Sequence, residues 1–332
     1  MFEKVSPKHP DKLCDALSGA IVDLVYERAG GLTKANPRVA CEVMAGHGRV
    51  DVQIETSLGR MDLRAEDIDP LIRRLFGERV VGNVLIAPQD AHLSENQTRG
   101  LRCGDNGIFR GCPPTEEQRV LTAIAATMWE RFKSDGKYII DATDVERIEH
   151  EGIITHEKWA TYKMGSLNNL TICQSNATAE EIEEVIEAWD EQNDHILSSQ
   201  GRLWRWPYMI HNPLGPWTGG IDVDCGCTNR KLGSDMGDGV TGGGLNGKDL
   251  SKGDVSINIV AFLKAVQSGQ TVTAICSIGD EQVTFQYASG KTETETFADV
   301  VEMARLYILT DCNGSFEKFA EWGLIRPLAL DV

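Results

Sequence analysis

The chain has 332 residues, 41% of them hydrophobic, and a net charge of −17 from 33 basic and 50 acidic side chains. That length suits two or three domains around a sizeable core, while so acidic a surface disfavours nucleic acid and anionic membranes, leaving any anionic ligand to a local basic cluster. No run approaches the ~18 apolar residues of a spanning helix, the N-terminus lacks a signal-peptide core, and nine cysteines without zinc-knuckle spacing read as reduced thiols of a cytoplasmic protein.

In chain order, Leu13, Ala16, Leu17, Ala20, Ile21, Leu24 and Val25 repeat with helical period, and Gly30-Gly31 ends the run. Pro10 suits the first helical turn, which places His9 at or beside the N-cap and Asp11 and Lys12 in that turn. Two strand-like runs follow, RVACEVM and RVDVQIETSL, joined by AGHG. The second alternates, with Val50, Val52 and Ile54 on one face and Asp51, Gln53 and Glu55 on the other. Glu42 lies within the apolar first run, where a buried carboxylate would need a cation or hydrogen bonds.

After the polar stretch PQDAHLSENQTRGLRCGDNG, a capping box at Thr115 and Gln118 opens a helix through RVLTAIAATMWERF. The strand NLTICQS leads to a second capping box, Thr178 to Glu181, and the helix AEEIEEVIEAWDEQ. Residues 215–247 are glycine-rich, with little regular pattern, and too long for a passive connection. A helix begins near Asp254, and the hairpin TVTAICSI…EQVTFQYASG precedes the helix FADVVEMARLYIL. Paired strands and amphipathic helices recur in each third without a residue-level repeat, an α/β (α+β) composition.

Chemistry concentrates between Asp222 and Asp254. Arg230, Lys231, Lys248 and Lys252 alternate there with Asp222, Asp224, Asp235, Asp238, Asp249 and Asp254, and six glycines lie from Gly237 to Gly247. Cations hold phosphate oxygens, isolated carboxylates hold magnesium, and glycines let backbone N–H groups approach an anion. Gly242 to Lys248 satisfies GxxxxGK, but Asp249 stands where a phosphate loop has Ser or Thr, so the stretch reads as a phosphate site of another kind or as a solvated polar loop. At the other end, His9 at a helix start offers an imidazole and free amides to developing negative charge, with Asp11 beside it as a magnesium carboxylate; a plain N-cap is the competing reading.

The chain resembles the S-adenosylmethionine synthetases, or methionine adenosyltransferases, of the bacterial and eukaryotic type. The resemblance rests on VSPKHPDKLCD, VACEV with IET after it, GDNG at 104–107, DCGCTNRK at 224–231, GGGLNGKDLSKGD at 242–254 and the closing FEKFAEWGLIRP, all in the family's order. It implies three similar β-α-β-β-α-β domains around a pseudo-threefold axis, here 1–103, 104–214 and 215–332, interleaved in space. It also implies a homodimer, or a tetramer, with active sites at the subunit interface, and ATP and L-methionine as substrates. The methionine sulfur would attack C5′ of ATP and expel triphosphate, which is then hydrolysed to pyrophosphate and phosphate.

By this resemblance His9, Lys248 and Arg230 are catalytic, and His9, Lys12, Trp217, Asp224, Arg230, Lys231 and Lys248 bind ATP and its phosphates. Glu55, Gln89, Asp105, Asp224 and Lys252 bind methionine. Asp11 and Asp254 hold magnesium, two ions per site, and Glu42 holds potassium. The chain departs from the family at Pro7-Lys8 before HPDK, at Pro216 in place of an arginine, in a short loop after Gln89, and in lacking a clear DAKSQ-like segment, for which Asp141-Ala142 is the nearest counterpart. Two other functions are compatible with the same residues: a non-catalytic nucleotide-binding homologue that regulates a partner, and a tripolyphosphate hydrolase.

Overall fold

A computed structural model describes residues 2–59, 61–92, 100–133, 160–166, 169–175, 177–198, 208–213, 215, 219–241 and 243–327. The chain opens with β1 (Phe2–Val5) and α1 (Pro10–Arg28), then forms the hairpin β2 (Val39–Gly46) and β3 (Arg49–Thr56). Helix α2 (Ala65–Phe76) crosses to β4 (Val81–Pro88), which pairs parallel with β3. Next come β5 (Gly107–Gly111), α3 (Glu116–Lys133), the hairpin β6 (Ala160–Ser166) and β7 (Asn169–Gln174), α4 (Ala179–Ser198) and β8 (Tyr208–His211). The glycine-rich third holds β9 (Gly226–Cys227), α5 (Leu232–Met236) and two single turns of 3₁₀ helix. The chain continues through α6 (Asp254–Ser268), the antiparallel β10 (Val272–Cys276), β11 (Gln282–Tyr287) and β12 (Thr292–Thr296), then α7 (Phe297–Asp311) and α8 (Phe316–Trp322).

Among the described residues the strands form three four-stranded sheets, ordered β4-β3-β2-β9, β1-β6-β7-β8 and β12-β11-β10-β5. The mixed α/β composition read from the sequence is therefore observed. Each sheet is built on a hairpin and takes one strand from a distant part of the chain, respectively β9, β1 and β5. Helices on one face of the first and third sheets share a single apolar core, while α3 and α4 pack a separate one with Phe2, Trp322 and Ile325.

Local signals explain most element ends. The capping boxes at Thr115/Gln118 and Thr178/Glu181 both form, each with reciprocal bonds of 2.9–3.2 Å. Strand β12 is absent from the sequence reading because TETET carries no apolar residue; it is an edge strand facing solvent, held by backbone pairing to β11.

Two long-range ties fix the first helix. Asp23 of α1 accepts from Ser315 Oγ, Phe316 N and Glu317 N at 2.7, 2.7 and 3.1 Å, so a carboxylate of one helix caps the start of another. A Cβ at Gly19 would lie 2.6 Å from the Phe316 carbonyl oxygen, which is why glycine stands at this crossing. Lys4, fully buried, donates to the carbonyls of Ser234, Trp322 and Ile325 at 2.8, 2.9 and 2.7 Å. Burial pulls its ammonium pKa down to about 7, but three donors matched to three acceptors satisfy the charged form, so β1, α5 and the C-terminal segment are joined through one ammonium.

Candidate active site

The geometry is organised by β2. Along its edge away from β3, two remote segments pair with it. Near one end, Ala45 and Met44 pair with Gly226 and Cys227, and Thr228 N donates to the Val43 carbonyl at 3.0 Å. Near the other, Cys41 N donates to Gly247 O at 2.7 Å, Asp249 N to Val39 O at 3.0 Å, and Lys248 bridges to Ala40. Ala40 and Met44 are four residues apart, about 13 Å along a strand. The two charged motifs of the glycine-rich segment are thus laid end to end on one edge.

At the Met44 end stands the start of α1. His9 is its N-cap, and its Nδ1 accepts from Asp11 N at 3.1 Å. Burial, then the charges of Lys231, Lys12 and Arg230, push its pKa down to about 3. At neutral pH the ring is therefore uncharged, and with Nδ1 accepting, its proton resides on Nε2. Asp11, only 2% exposed, accepts from Cys227 N at 2.8 Å; Arg230 Nε and Lys231 Nζ lie 3.6 and 3.7 Å from its carboxylate. Burial raises its pKa, opposed by that N–H bond and by the two cations, and Asp224 adds a nearby negative charge. The backbones of α1 and β9 meet closely here: a Cβ at Gly226 would overlap the Pro10 carbonyl.

At the Ala40 end, Lys248 Nζ donates to Asp254 Oδ2 at 2.6 Å, where Asp254 begins α6. Burial raises the Asp254 pKa; Lys248 opposes this, Asp105 reinforces it, and Lys252 also opposes it. Asp105 is brought in because Gly104 N donates to Ser251 O at 2.9 Å. Gly243 packs against the Asp254 carboxylate so closely that a Cβ there would overlap it. Asn229, held at φ 62°, joins the two ends: its Oδ1 accepts from Leu245 N and Asn246 N at 2.8 and 2.9 Å.

Glu42 and Glu55 lie on the outer face of the first sheet. Glu42 is opposite Gln53, and Glu55 is opposite Ala40, which in turn bridges to Lys248. Glu42 is exposed, so water solvates its carboxylate and the burial cost expected from its apolar run does not arise. Gln89 follows β4, its N–H donating to Thr56 O at 3.0 Å.

The structure therefore gathers His9, Asp11, Asp224, Arg230 and Lys231 at one end, and Lys248, Lys252, Asp254 and Asp105 at the other, with Glu42 and Glu55 on the adjoining sheet face. Lys12 is not among them. Its ammonium, 1% exposed, points inward and pairs with both oxygens of Asp235 at 2.7 Å and with Asp15 at 3.1 Å. Trp217, Pro216, Asp141 and Ala142 lie outside the described residues.

Asp249, the residue that breaks the phosphate-loop pattern, is buried and accepts from Val39 N at 2.8 Å and from Ser251 N and Oγ at 2.8 and 2.5 Å. It fastens the lysine-bearing segment to β2, a role a Ser or Thr hydroxyl would fill less well with three donors to satisfy. Sequence reasoning missed Asn229, Asp249 as an anchor, and Asp235 as the partner of Lys12; none lies in a periodic pattern, and their partners are remote in sequence.

No family model matches the chain. It is 27% identical to the S-adenosylmethionine synthase of Jannaschia sp. (strain CCS1) over 288 residues, covering 76% of this chain and 69% of that protein. It is 26% identical to the S-adenosylmethionine synthase of Bradyrhizobium diazoefficiens over 293 residues and 27% identical to S-adenosylmethionine synthase 2 of Rhodopseudomonas palustris (strain BisB18) over 296 residues, with 76% of this chain and 70% of each relative covered. The chain is a divergent relative of S-adenosylmethionine synthases. Of the segments on which the resemblance rests, DCGCTNRK and GKDLSKGD pair with the β2 edge, and HPDK, at the start of α1, stands beside the first of them.

The His9 environment has a consequence for stability. Its folded pKa of about 3 lies below the ordinary 6.5 of an unfolded histidine, so the unfolded chain binds a proton that the folded one refuses. The contribution is complete above about pH 6.5 and is lost as pH falls towards 3. Thermal unfolding of the parent and of His9→Asn, which keeps a capping oxygen but does not titrate there, is expected to show a shallower acid decline for the variant. Identical slopes would contradict the buried neutral imidazole.

Proposed function

We propose that the protein forms S-adenosylmethionine from L-methionine and ATP by attack of the methionine sulfur on C5′, with release of triphosphate and its hydrolysis to pyrophosphate and phosphate. The observation that carries this reading is the alignment of two cationic segments along the β2 edge, with a neutral histidine at one end and the acidic face of the sheet alongside. A thioether has no proton to lose, so the step needs alignment of sulfur and C5′ and stabilisation of a departing polyanion rather than a general base.

In this reading Arg230, Lys231 and Lys248 pair with phosphate oxygens, and the Nε2–H of His9 donates to the triphosphate oxygen that gains charge as its bond to C5′ breaks. Burial first, and then the charges of Lys231, Lys12 and Arg230, keep the ring a neutral N–H donor. Glu55, Gln89, Asp105, Asp224 and Lys252 would orient methionine, and Trp217 would pack on adenine.

Asp11 and Asp254 are the carboxylates for magnesium. Each stands beside cations and one further carboxylate, Asp224 near Asp11 and Asp105 near Asp254, a hard oxygen set that suits an ion taking its remaining ligands from phosphate and water. Magnesium, when bound, would neutralise the triphosphate oxygens. Glu42, reachable from solvent on the outer sheet face, is the candidate for potassium.

We further propose that the three sheets belong to three interleaved units around a pseudo-threefold axis, with segments 1–103, 104–214 and 215–332 as their main contributors, and that two copies of the chain associate. The outer face of the first sheet exposes Met44, Val81 and Leu85 on the side that carries Glu42 and Glu55, and the third exposes the paired Ile108 and Ile275. Exposed apolar side chains on these two sheet faces favour a covering partner, which would also close the site. Among the described residues no helix is long and apolar enough to cross a membrane; a cytoplasmic location is part of this proposal.

The test is incubation with methionine, ATP, magnesium and potassium, with product identified by mass. S-adenosylmethionine with pyrophosphate and phosphate is expected. ATP bound in calorimetry yet intact after long incubation would replace the reading with a non-catalytic homologue, and phosphate release from tripolyphosphate without methionine-dependent product would replace it with a hydrolase.

A further inference from the structure

Lys12, Asp15 and Asp235 form a buried ionic triad that ties the start of α1 to the segments bearing Arg230 and Lys248 without entering the candidate site. Asp235 takes the Lys12 ammonium on both oxygens at 2.7 Å, and Asp15 stands 3.1 Å from the same nitrogen. Asp15 also accepts from Asn229 N at 2.8 Å, the residue before Arg230. Asp235 accepts from Asn246 Nδ2 at 3.3 Å, two residues before Lys248, and its carbonyl accepts from Leu324 N and Ile325 N at 2.9 and 3.0 Å. Lys12 itself follows Asp11 in the first turn of α1. All three side chains are buried, and the Lys12 ammonium keeps its proton because two carboxylates outweigh desolvation.

Resting on the functional reading above, we propose that Lys12 and Asp235 are positioning residues: their ion pair sets the start of α1, which carries His9 and Asp11, against the Arg230 and Lys248 segments. The pair is well suited to this. Both oxygens of one carboxylate on one ammonium define its place to a fraction of an ångström, and the buried setting removes water as an alternative partner. A displacement of about 1 Å in an aligned site can cost about 100-fold in rate.

Asp235→Asn keeps the shape of the side chain and weakens its hold on Lys12. In protein shown by circular dichroism and thermal unfolding to be folded, kcat for S-adenosylmethionine formation should fall at least about 10-fold, with KM for methionine within about 2-fold. Affinity for inorganic tripolyphosphate, measured by calorimetry, should weaken by a similar factor. The combined variant Lys12→Met/Asp235→Leu, made together with Asp15→Asn so that no buried carboxylate is left without its ammonium, removes the ion pair: if the pair were only structural, folding and rate would return together, whereas positioning predicts a folded protein that stays slow. Parent-like kcat in folded Asp235→Asn, or parent-like kcat in the combined variant, overturns the proposal. Where Asp235→Asn does not fold, the combined variant decides. A parent that binds tripolyphosphate but makes no product refutes the functional reading, and the calorimetric comparison then decides the positioning claim alone.

Discussion

Lys248→Ala and Asp254→Ala are each expected to lower S-adenosylmethionine formation at least about 100-fold, as loss of a preorganised charge at a developing anion usually does. The two side chains are joined at 2.6 Å, so their separate roles must be distinguished by binding. Lys248→Ala removes a cation, and tripolyphosphate affinity should fall with or without magnesium. Asp254→Ala removes a carboxylate. Without magnesium it should bind tripolyphosphate as well as the parent or better, because a repulsive charge is gone and Lys248 is released. With magnesium its affinity should fall, because a metal ligand is gone. Near-parent turnover in either variant, or the same magnesium dependence in both, would undo the assignment. Lys248→Ala carries a stability cost as well: it leaves a largely buried carboxylate without its ammonium, an effect of about 1–3 kcal/mol that a lowered unfolding temperature would register.

His9→Ala has the second large expected effect, a loss of about 100-fold in rate. The same change deletes the N-cap acceptor bonded to Asp11 N, which costs about 0.5–2 kcal/mol. His9→Asn separates the two roles. An asparagine oxygen can cap the helix, but its amide does not reach where the imidazole Nε2–H stands, so stability should return and rate should not. Because the folded pKa of His9 is about 3, the parent's rate should show no ionisation of this residue between about pH 5 and 8. A His9→Ala enzyme within about 5-fold of the parent, or a parent rate that rises with an apparent pKa near 6.5 absent in His9→Asn, would show that the ring is not a neutral donor.

Much of this site was legible before any coordinates. Pro10 after His9 and the apolar spacing from Leu13 to Val25 fix a helix whose first turn holds Asp11, and α1 spans Pro10–Arg28. The capping boxes at Thr115 and Thr178 are similarly local, each needing only the residue three places on. The alternation in RVDVQIET sets which residues of β3 are buried, and Glu55 falls on the outer face as that alternation requires. The basic, acidic and glycine-rich composition of residues 222–254 singles the segment out as a candidate phosphate site, beside its reading as a solvated loop.

What remained illegible depends on partners far away in the chain. The sequence by itself placed Lys12 in the same turn as His9 and Asp11, but nothing local says that its ammonium turns inward to Asp235, 223 residues on. It showed that Asp249 breaks a phosphate-loop pattern, but not that three donors, one of them on β2, make that carboxylate an anchor. It put Glu42 in an apolar run, yet the tertiary structure leaves that face of β2 open to water. Periodicity and capping are decided within one or two turns, where the chain's own geometry supplies both partners. The pairing of residues 226–228 and 247–249 with one edge of β2 is decided by backbone hydrogen bonds between segments about 180–210 residues apart, whose register no local pattern encodes. The sequence determined which charged groups this protein carries and which helix starts present them; only the tertiary structure decided that they meet along a single strand.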